Sequence, residues 1–147
     1  MEAVAETLIG TYLTRGGRVF IVPQYSIPPS PDSKGEWSCP DFVALDFERE
    51  PREVVVVEVT TASNINPFIE KAINRKKQWF EPLYAKLLAD RIIDTSWDIR
   101  FLGFVRKDNL EKARAKLSEH DKVTIAAIED ATFSWKFWEV RQGGLPR

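Results

Sequence analysis

Four consecutive valines, Val54-Val55-Val56-Val57, constrain this chain more than any other feature. Neighbouring side chains on a strand point to opposite faces, so a strand that is apolar at every position must be covered on both. Such a strand belongs inside a sheet rather than at its margin. The run ends in Glu58-Val59-Thr60. Alternation puts Val54, Val56 and Glu58 on one face and Val55, Val57 and Val59 on the other. A carboxylate at the end of a buried strand is costly unless it is paired, hydrogen-bonded or metal-bound, or emerges into water.

A second acidic residue stands early on the preceding strand. Cys39-Pro40-Asp41 opens a segment, Asp41 to Phe47, in which Val43 and Leu45 alternate with Ala44 and Asp46. The proline fixes its own φ and keeps the residue before it extended, so Asp41 is entered from a stiff approach. Glu48-Arg49-Glu50-Pro51-Arg52 is a polar turn, and Glu53 to Val59 is the next strand. Two strands joined in this way predict a hairpin. Pairing would bring Asp41 and Glu58 together above one sheet edge.

The other elements follow from periodicity. Residues 2–13 read as a helix with Val4, Leu8 and either Ala5 or Tyr12 as its apolar stripe, and Glu6 beside it. Arg18 to Val22 is a strand stopped by Pro23. Ile27 to Trp37, rich in proline, is a loop or flap. A long helix begins near Asn66 as cap with Pro67 in its first turn, carries Phe68, Ala72, Ile73, Trp79 and Phe80, and kinks or ends at Pro82. Ile99 to Val105 is a strand, Leu110 to Leu117 a helix with a basic outer face, and Lys122 to Ile128 a strand. Phe133 to Val140 fits either strand or helix. The order is helix, three strands, helix, strand, helix: one α/β domain over 1–147 with a mixed sheet.

With 147 residues, 44% hydrophobic and 29% charged, the chain has the make-up of a single soluble domain. One cysteine and one histidine, Cys39 and His120, exclude a disulfide framework and a cysteine- or histidine-rich metal centre. Cys39 is expected as a buried small side chain and His120 as a surface cap. No apolar run approaches a membrane span, and MEAVAETLIG lacks the features of a signal peptide, so a cytoplasmic location is expected. Net charge is −1. Basic residues nevertheless cluster at Lys71, Arg75, Lys76 and Lys77, and again at Arg106, Lys107, Lys112, Arg114 and Lys116, as phosphate contact requires and as an ordinary solvated helix also allows.

Pro40-Asp41 and Glu58-Val59-Thr60, in this order of elements, resemble the signature of the PD-(D/E)XK nuclease superfamily, with Thr60 where its lysine stands. The resemblance implies a restriction-endonuclease-like core, a mixed sheet flanked by helices. It implies Asp41 and Glu58 as ligands of Mg²⁺ or Mn²⁺, with the Val59 carbonyl and Glu6 completing the set. RecB-like members carry a glutamine on the helix after these strands, and Gln78 is similar in placement. The tyrosine of that pattern is absent: position 82 is Pro82 and Tyr84 comes two residues late. Lys71 lies seven residues before Gln78, nearly on the same helix face, and is the candidate for the missing amine, with Lys77 in reserve.

The expected activity is that of a metal-dependent DNA endonuclease, a hydrolase in which Asp41 and Glu58 hold the metal that activates water and Lys71 stabilises phosphoryl charge. Lys76, Lys77, Lys107 and Arg114 would touch distant phosphates, and Trp37 would stack on a base. Thr60 supports an alternative: a nuclease fold without catalysis, serving as a nucleic-acid-binding or assembly subunit. DNA is the expected partner, no membrane is, and a Trp135–Trp138 stripe would support a homodimer or larger assembly.

Overall fold

The computed structural model describes residues 2–29, 31, 35–132, 139 and 141–147. Its centre is the valine strand. Strands β1 (Val19–Pro23), β2 (Phe42–Asp46), β3 (Glu53–Val59), β4 (Asp98–Val105) and β5 (Val123–Ala127) form one five-stranded sheet in the order β1-β2-β3-β4-β5. β1, β2 and β3 run antiparallel in succession, while β3, β4 and β5 run parallel. The sheet is therefore mixed, as expected. All seven residues of β3 are buried.

Helices cover both faces, which is what a strand apolar on both sides demands. On one face, Val54, Val56 and Phe101 pack under α2 (Asn66–Ile73), a π-helical turn (Lys76–Phe80), α3 (Glu81–Ala89) and α4 (Leu110–Leu117), through Phe68, Ile69, Trp79, Leu83 and Leu117 among others. On the other, Val55, Val57, Leu102 and Phe104 pack under α1 (Glu2–Thr14) and α5 (Ile128–Thr132). The parallel strands are joined by crossovers that carry α2 and α3, then α4.

Gly103 of β4 has a packing role. A Cβ there would lie 2.3 Å from Cζ of Phe68, so the bare backbone is what lets the Phe68 ring lie on the sheet beside Phe101. Trp79 stacks on Phe101 with ring centroids 5.8 Å apart, and its Nε1–H donates to Ser38 Oγ at 3.1 Å. Ser38 also pairs main chain to main chain with Ile27. The proline-rich loop is thus closed at its base, and its Trp37 stands exposed beside Lys86 of α3.

At the far end of the sheet a buried polar network holds the C-terminal tail. Arg141 donates to the carbonyls of Tyr12 and Leu13 and to Glu48, at 2.8 Å for the closest carboxylate oxygen. Glu53 meets Arg100 at 3.2 Å and Arg147 at 2.8 Å.

Several local expectations are corrected. The apolar stripe of α1 is Ala5, Ile9, Tyr12 and Leu13, whereas Val4 and Leu8 are exposed. Asn66 is the first helical residue of α2, not its cap; Ile65 holds the cap position without a side-chain bond, and Asn64 Oδ1 accepts the Asn66 N–H. Ile73 is exposed. Pro82 does not end the helix: the turn before it widens to a π-helix, and the Glu81 N–H reaches the Lys76 carbonyl. Widening relieves the clash a proline ring makes with the carbonyl four residues earlier. Cys39 is exposed, with Ser26 Oγ 3.5 Å from its sulfur. β2 begins at Phe42, which leaves Asp41 just outside it, and β5 ends at Ala127 because Ile128 opens α5. Phe133 to Val140, with Trp135 and Trp138, lies outside the described residues apart from Glu139.

Candidate functional site

Parallel strands β3, β4 and β5 end at the same edge of the sheet, and antiparallel β2 begins there. Open α/β sheets bind ligands outside the carboxyl ends of their strands. The β2–β3 register reaches Phe42↔Val57, so one step further Asp41 stands beside Glu58. The Asp41 N–H donates to Glu58 Oε1 at 3.1 Å, and the Val59 N–H donates to Asp41 Oδ2 at 2.7 Å. Lys71, from the last turn of α2, places Nζ 3.4 Å from Glu58 Oε2. From α1, Glu6 is hydrogen-bonded to the Asp41 carboxyl.

Proton affinities in this cluster are displaced together. Burial, then repulsion from Asp41, pushes the Glu58 carboxyl up to about 7, although Lys71 and the Asp41 N–H pull it down. Burial also raises Asp41, against the opposing bonds from Val59 and Glu6 and the charge of Lys71. Glu6 is raised by burial first and by Asp41 second. The Glu6 and Asp41 carboxyls face each other, and both bind protons more tightly than an exposed carboxyl does, with burial as the first cause. The sequence reading missed Glu2. It accepts the Thr61 N–H at 3.4 Å and adds a further negative charge near Glu6 and Asp41. Its position one helical turn before Glu6 was the available signal.

The structure thus brings Glu6, Asp41, Glu58 and Lys71 together and overturns the metal centre expected of them. Among the described residues, no group of three histidine, cysteine, aspartate or glutamate side chains is placed to hold a metal ion. The physical reason lies in the bonds above. Asp41 and Glu58 each turn an oxygen onto the other strand's backbone, Glu6 is joined to Asp41, and the second Glu58 oxygen faces an ammonium. Mg²⁺ demands near-octahedral oxygen geometry, which these commitments do not offer. The expectations of bound Mg²⁺ or Mn²⁺, of a metal-dependent DNA endonuclease and of a magnesium-dependent hydrolase are therefore withdrawn, and with them the roles of Asp41, Glu58, Val59 and Glu6 as metal ligands. Thr60, at the position of the missing lysine, accepts the Ala62 N–H in a turn. No hydrogen bond joins Gln78 to the cluster among the described residues; its N–H continues the helix to the Asn74 carbonyl.

The basic clusters divide in two. Arg75 is buried and donates to Ala72 and Asp121; Arg114 donates to the Ile125 carbonyl; Lys76, Arg106 and Lys107 pair with Asp121, Asp108 and Asp130. Lys112 and Lys116 are exposed and form no ion pair among the described residues. Lys71 is half-exposed although paired with Glu58, and Lys112 and Lys116 lie one turn apart on the exposed surface of α4, off the side that buries Leu110, Ala113 and Leu117. Lys116 Nζ reaches Asn66 Oδ1 at 3.3 Å, which ties α4 to the start of α2. No helix among the described residues is long and apolar enough to cross a membrane. No protein-family model matches the chain, and neither curated proteins nor solved structures give a match.

Proposed function

We propose that this protein binds nucleic acid through its phosphate backbone and does so without metal-dependent cleavage. The observation that carries this reading is the exposed lysines of the neighbouring helices α2 and α4: Lys71, Lys112 and Lys116. Exposed lysines of this kind contact phosphates, and such contacts supply affinity without sequence information. The acid cluster lies beside Lys71, and its charge is damped: Lys71 pairs with Glu58, and burial raises the proton affinity of Glu6, Asp41 and Glu58. Within this reading the fold is a restriction-endonuclease-like core related to the PD-(D/E)XK superfamily. The order helix, three strands, helix, strand supports that relation, and Asp41 and Glu58 lock β2 to β3 through each other's backbone.

The test is fluorescence anisotropy with short labelled single-stranded and duplex DNA and RNA, in chelator, over a series of salt concentrations. Wild type is expected to bind one of these with an affinity that falls steeply with salt. Lys112→Gln with Lys116→Gln should weaken binding about tenfold at low salt and flatten the log–log salt slope by about 1 for each contact removed. Unchanged affinity and slope in that variant would reduce these lysines to a solvated helix surface.

A further inference from the structure

β1 is the outermost strand of the sheet on its side. It pairs with β2 through its even-numbered neighbours: Arg18 accepts the Phe47 N–H, and the Gln24 N–H reaches the Asp41 carbonyl. Alternation then turns the main-chain groups of Val19, Ile21 and Pro23 away from β2. Among the described residues nothing bonds to them. A free row of donors and acceptors is a template for another strand, and natural edges are usually blunted by charge, proline or a bulge. Here the strand is Val-Phe-Ile-Val-Pro, uncharged throughout, with proline only at its last position.

The side chains on this strand make the same point. Phe20 is opposite Leu45 and Val22 opposite Val43 in the β1–β2 register, so they extend the sheet face that α2 and α3 cover further in. At β1 that cover has ended: Phe20 is 61% exposed and Val22 47%. On the other face, Ile21 borders an open groove of about 540 Å³ lined by Thr7, Thr11 and Phe42.

We infer that two copies of this chain pair through their β1 strands, antiparallel about a two-fold axis at Ile21. This register is the one the edge itself selects. The Ile21 residues of the two copies exchange both of their hydrogen bonds. Each Val19 N–H donates to the partner's Pro23 carbonyl, and the N–H that Pro23 lacks falls at the rim of the pairing, where its absence costs least. In the same register Phe20 of one copy stands across from Val22 of the other, in the closer, non-hydrogen-bonded type of pair. Both exposed apolar side chains are thereby covered twice over, once on each side of the axis. An isologous contact of this kind closes at two copies and does not propagate. Because the strands run in opposite directions across the axis, the two acid clusters lie at opposite edges of the joined sheet. Each remains complete within its own copy.

Sedimentation equilibrium of the full chain tests the inference, with Phe20→Lys/Val22→Lys as the variant. Both side chains are exposed in the single copy, so a folded variant is expected, and circular dichroism checks it. Wild type should be a dimer at micromolar concentration, and the variant a monomer with unchanged secondary structure. The register is tested separately in a Cys39→Ser background carrying Phe20→Cys and Val22→Cys. Oxidation should link two chains through residue 20 of one and residue 22 of the other, identified by mass spectrometry of the linked peptide. Wild type that stays monomeric over the accessible concentration range would overturn the proposal. So would a dimer that survives the double lysine variant, or an oxidised product without the 20–22 linkage.

Discussion

Asp41 and Glu58 hold each other through the main chain. The Asp41 N–H donates to the Glu58 carboxylate at 3.1 Å, and the Asp41 carboxylate accepts the N–H of Val59, the residue after Glu58, at 2.7 Å. Each side chain thus closes the hydrogen-bonding of the other strand where β2 and β3 stop pairing. That reciprocal lock places two buried carboxyls side by side, and the consequences for proton binding can be measured.

Glu58 binds its proton more tightly folded, at about 7, than unfolded at its ordinary value of 4.5. The folded state therefore holds more protons between those values, and stability must fall as pH rises through this window. The contribution is fully present below about pH 4.5 and lost above about pH 7, and Asp41 and Glu6 act in the same direction. Glu58→Gln keeps an acceptor for the Asp41 N–H and removes the charge. Urea denaturation at pH 5 and pH 7.5 should show wild type losing stability, by up to about 3 kcal/mol from this group, and the variant losing much less. Equal losses in both proteins would contradict the assignment.

Lys71 stands 3.4 Å from Glu58 and holds its proton affinity down. Lys71→Met retains helix propensity and stem length without the charge. Carbon-13 NMR titration of the Glu58 carboxyl should then find its midpoint above the wild-type value near 7. An unmoved or lowered midpoint would mean that the ammonium does not face Glu58 in solution.

Gly103 gives the Phe68 ring its place on the sheet, since a Cβ would sit 2.3 Å from Cζ. Gly103→Ala should cost about 1–3 kcal/mol of stability as an overpacked core. Phe68→Leu should recover part of the loss when combined with it, as read by chemical denaturation of the four proteins of a double-mutant cycle.

Much of this architecture was legible in the chain because apolar periodicity reports burial. Val54–Val57 announced a strand covered on both faces, and the bounds of β3 and α4 agree with the pattern to the residue. The α1 stripe was misread because Val4-Ala5 and Leu8-Ile9 are apolar pairs, and hydropathy alone does not say which member turns inward. Pro82 reads as a kink or an end because a π-helical turn has no sequence signal of its own. The site was legible in part. Two acids at matching strand ends foretold that Asp41 and Glu58 would meet. Whether they meet around a cation or on backbone N–H groups depends on rotamers that composition and spacing do not encode. The buried fate of Arg75 and Arg141 was hidden for the same reason: a long charged side chain reads as surface until its carbonyl partners are known.

Arg141 donates from deep burial to Tyr12, Leu13 and Glu48, joining the tail to α1 and to the β2–β3 turn. Arg141→Met fills a similar volume but leaves two carbonyls and a carboxylate without their donor. The loss should be about 3 kcal/mol or more, with faster proteolysis of the tail in a time course followed by mass spectrometry. A variant as stable as wild type would show that the tail is not anchored there.

The central claim is nucleic-acid binding by lysines without a metal. Anisotropy of labelled DNA and RNA should give the same dissociation constant in chelator and in Mg²⁺ once ionic strength is matched. The probes should be intact on denaturing gels after the titration, and binding should weaken in Lys112→Gln/Lys116→Gln with a flatter salt slope. Binding that appears only with divalent cation, or no binding at low salt to any probe, would contradict the account.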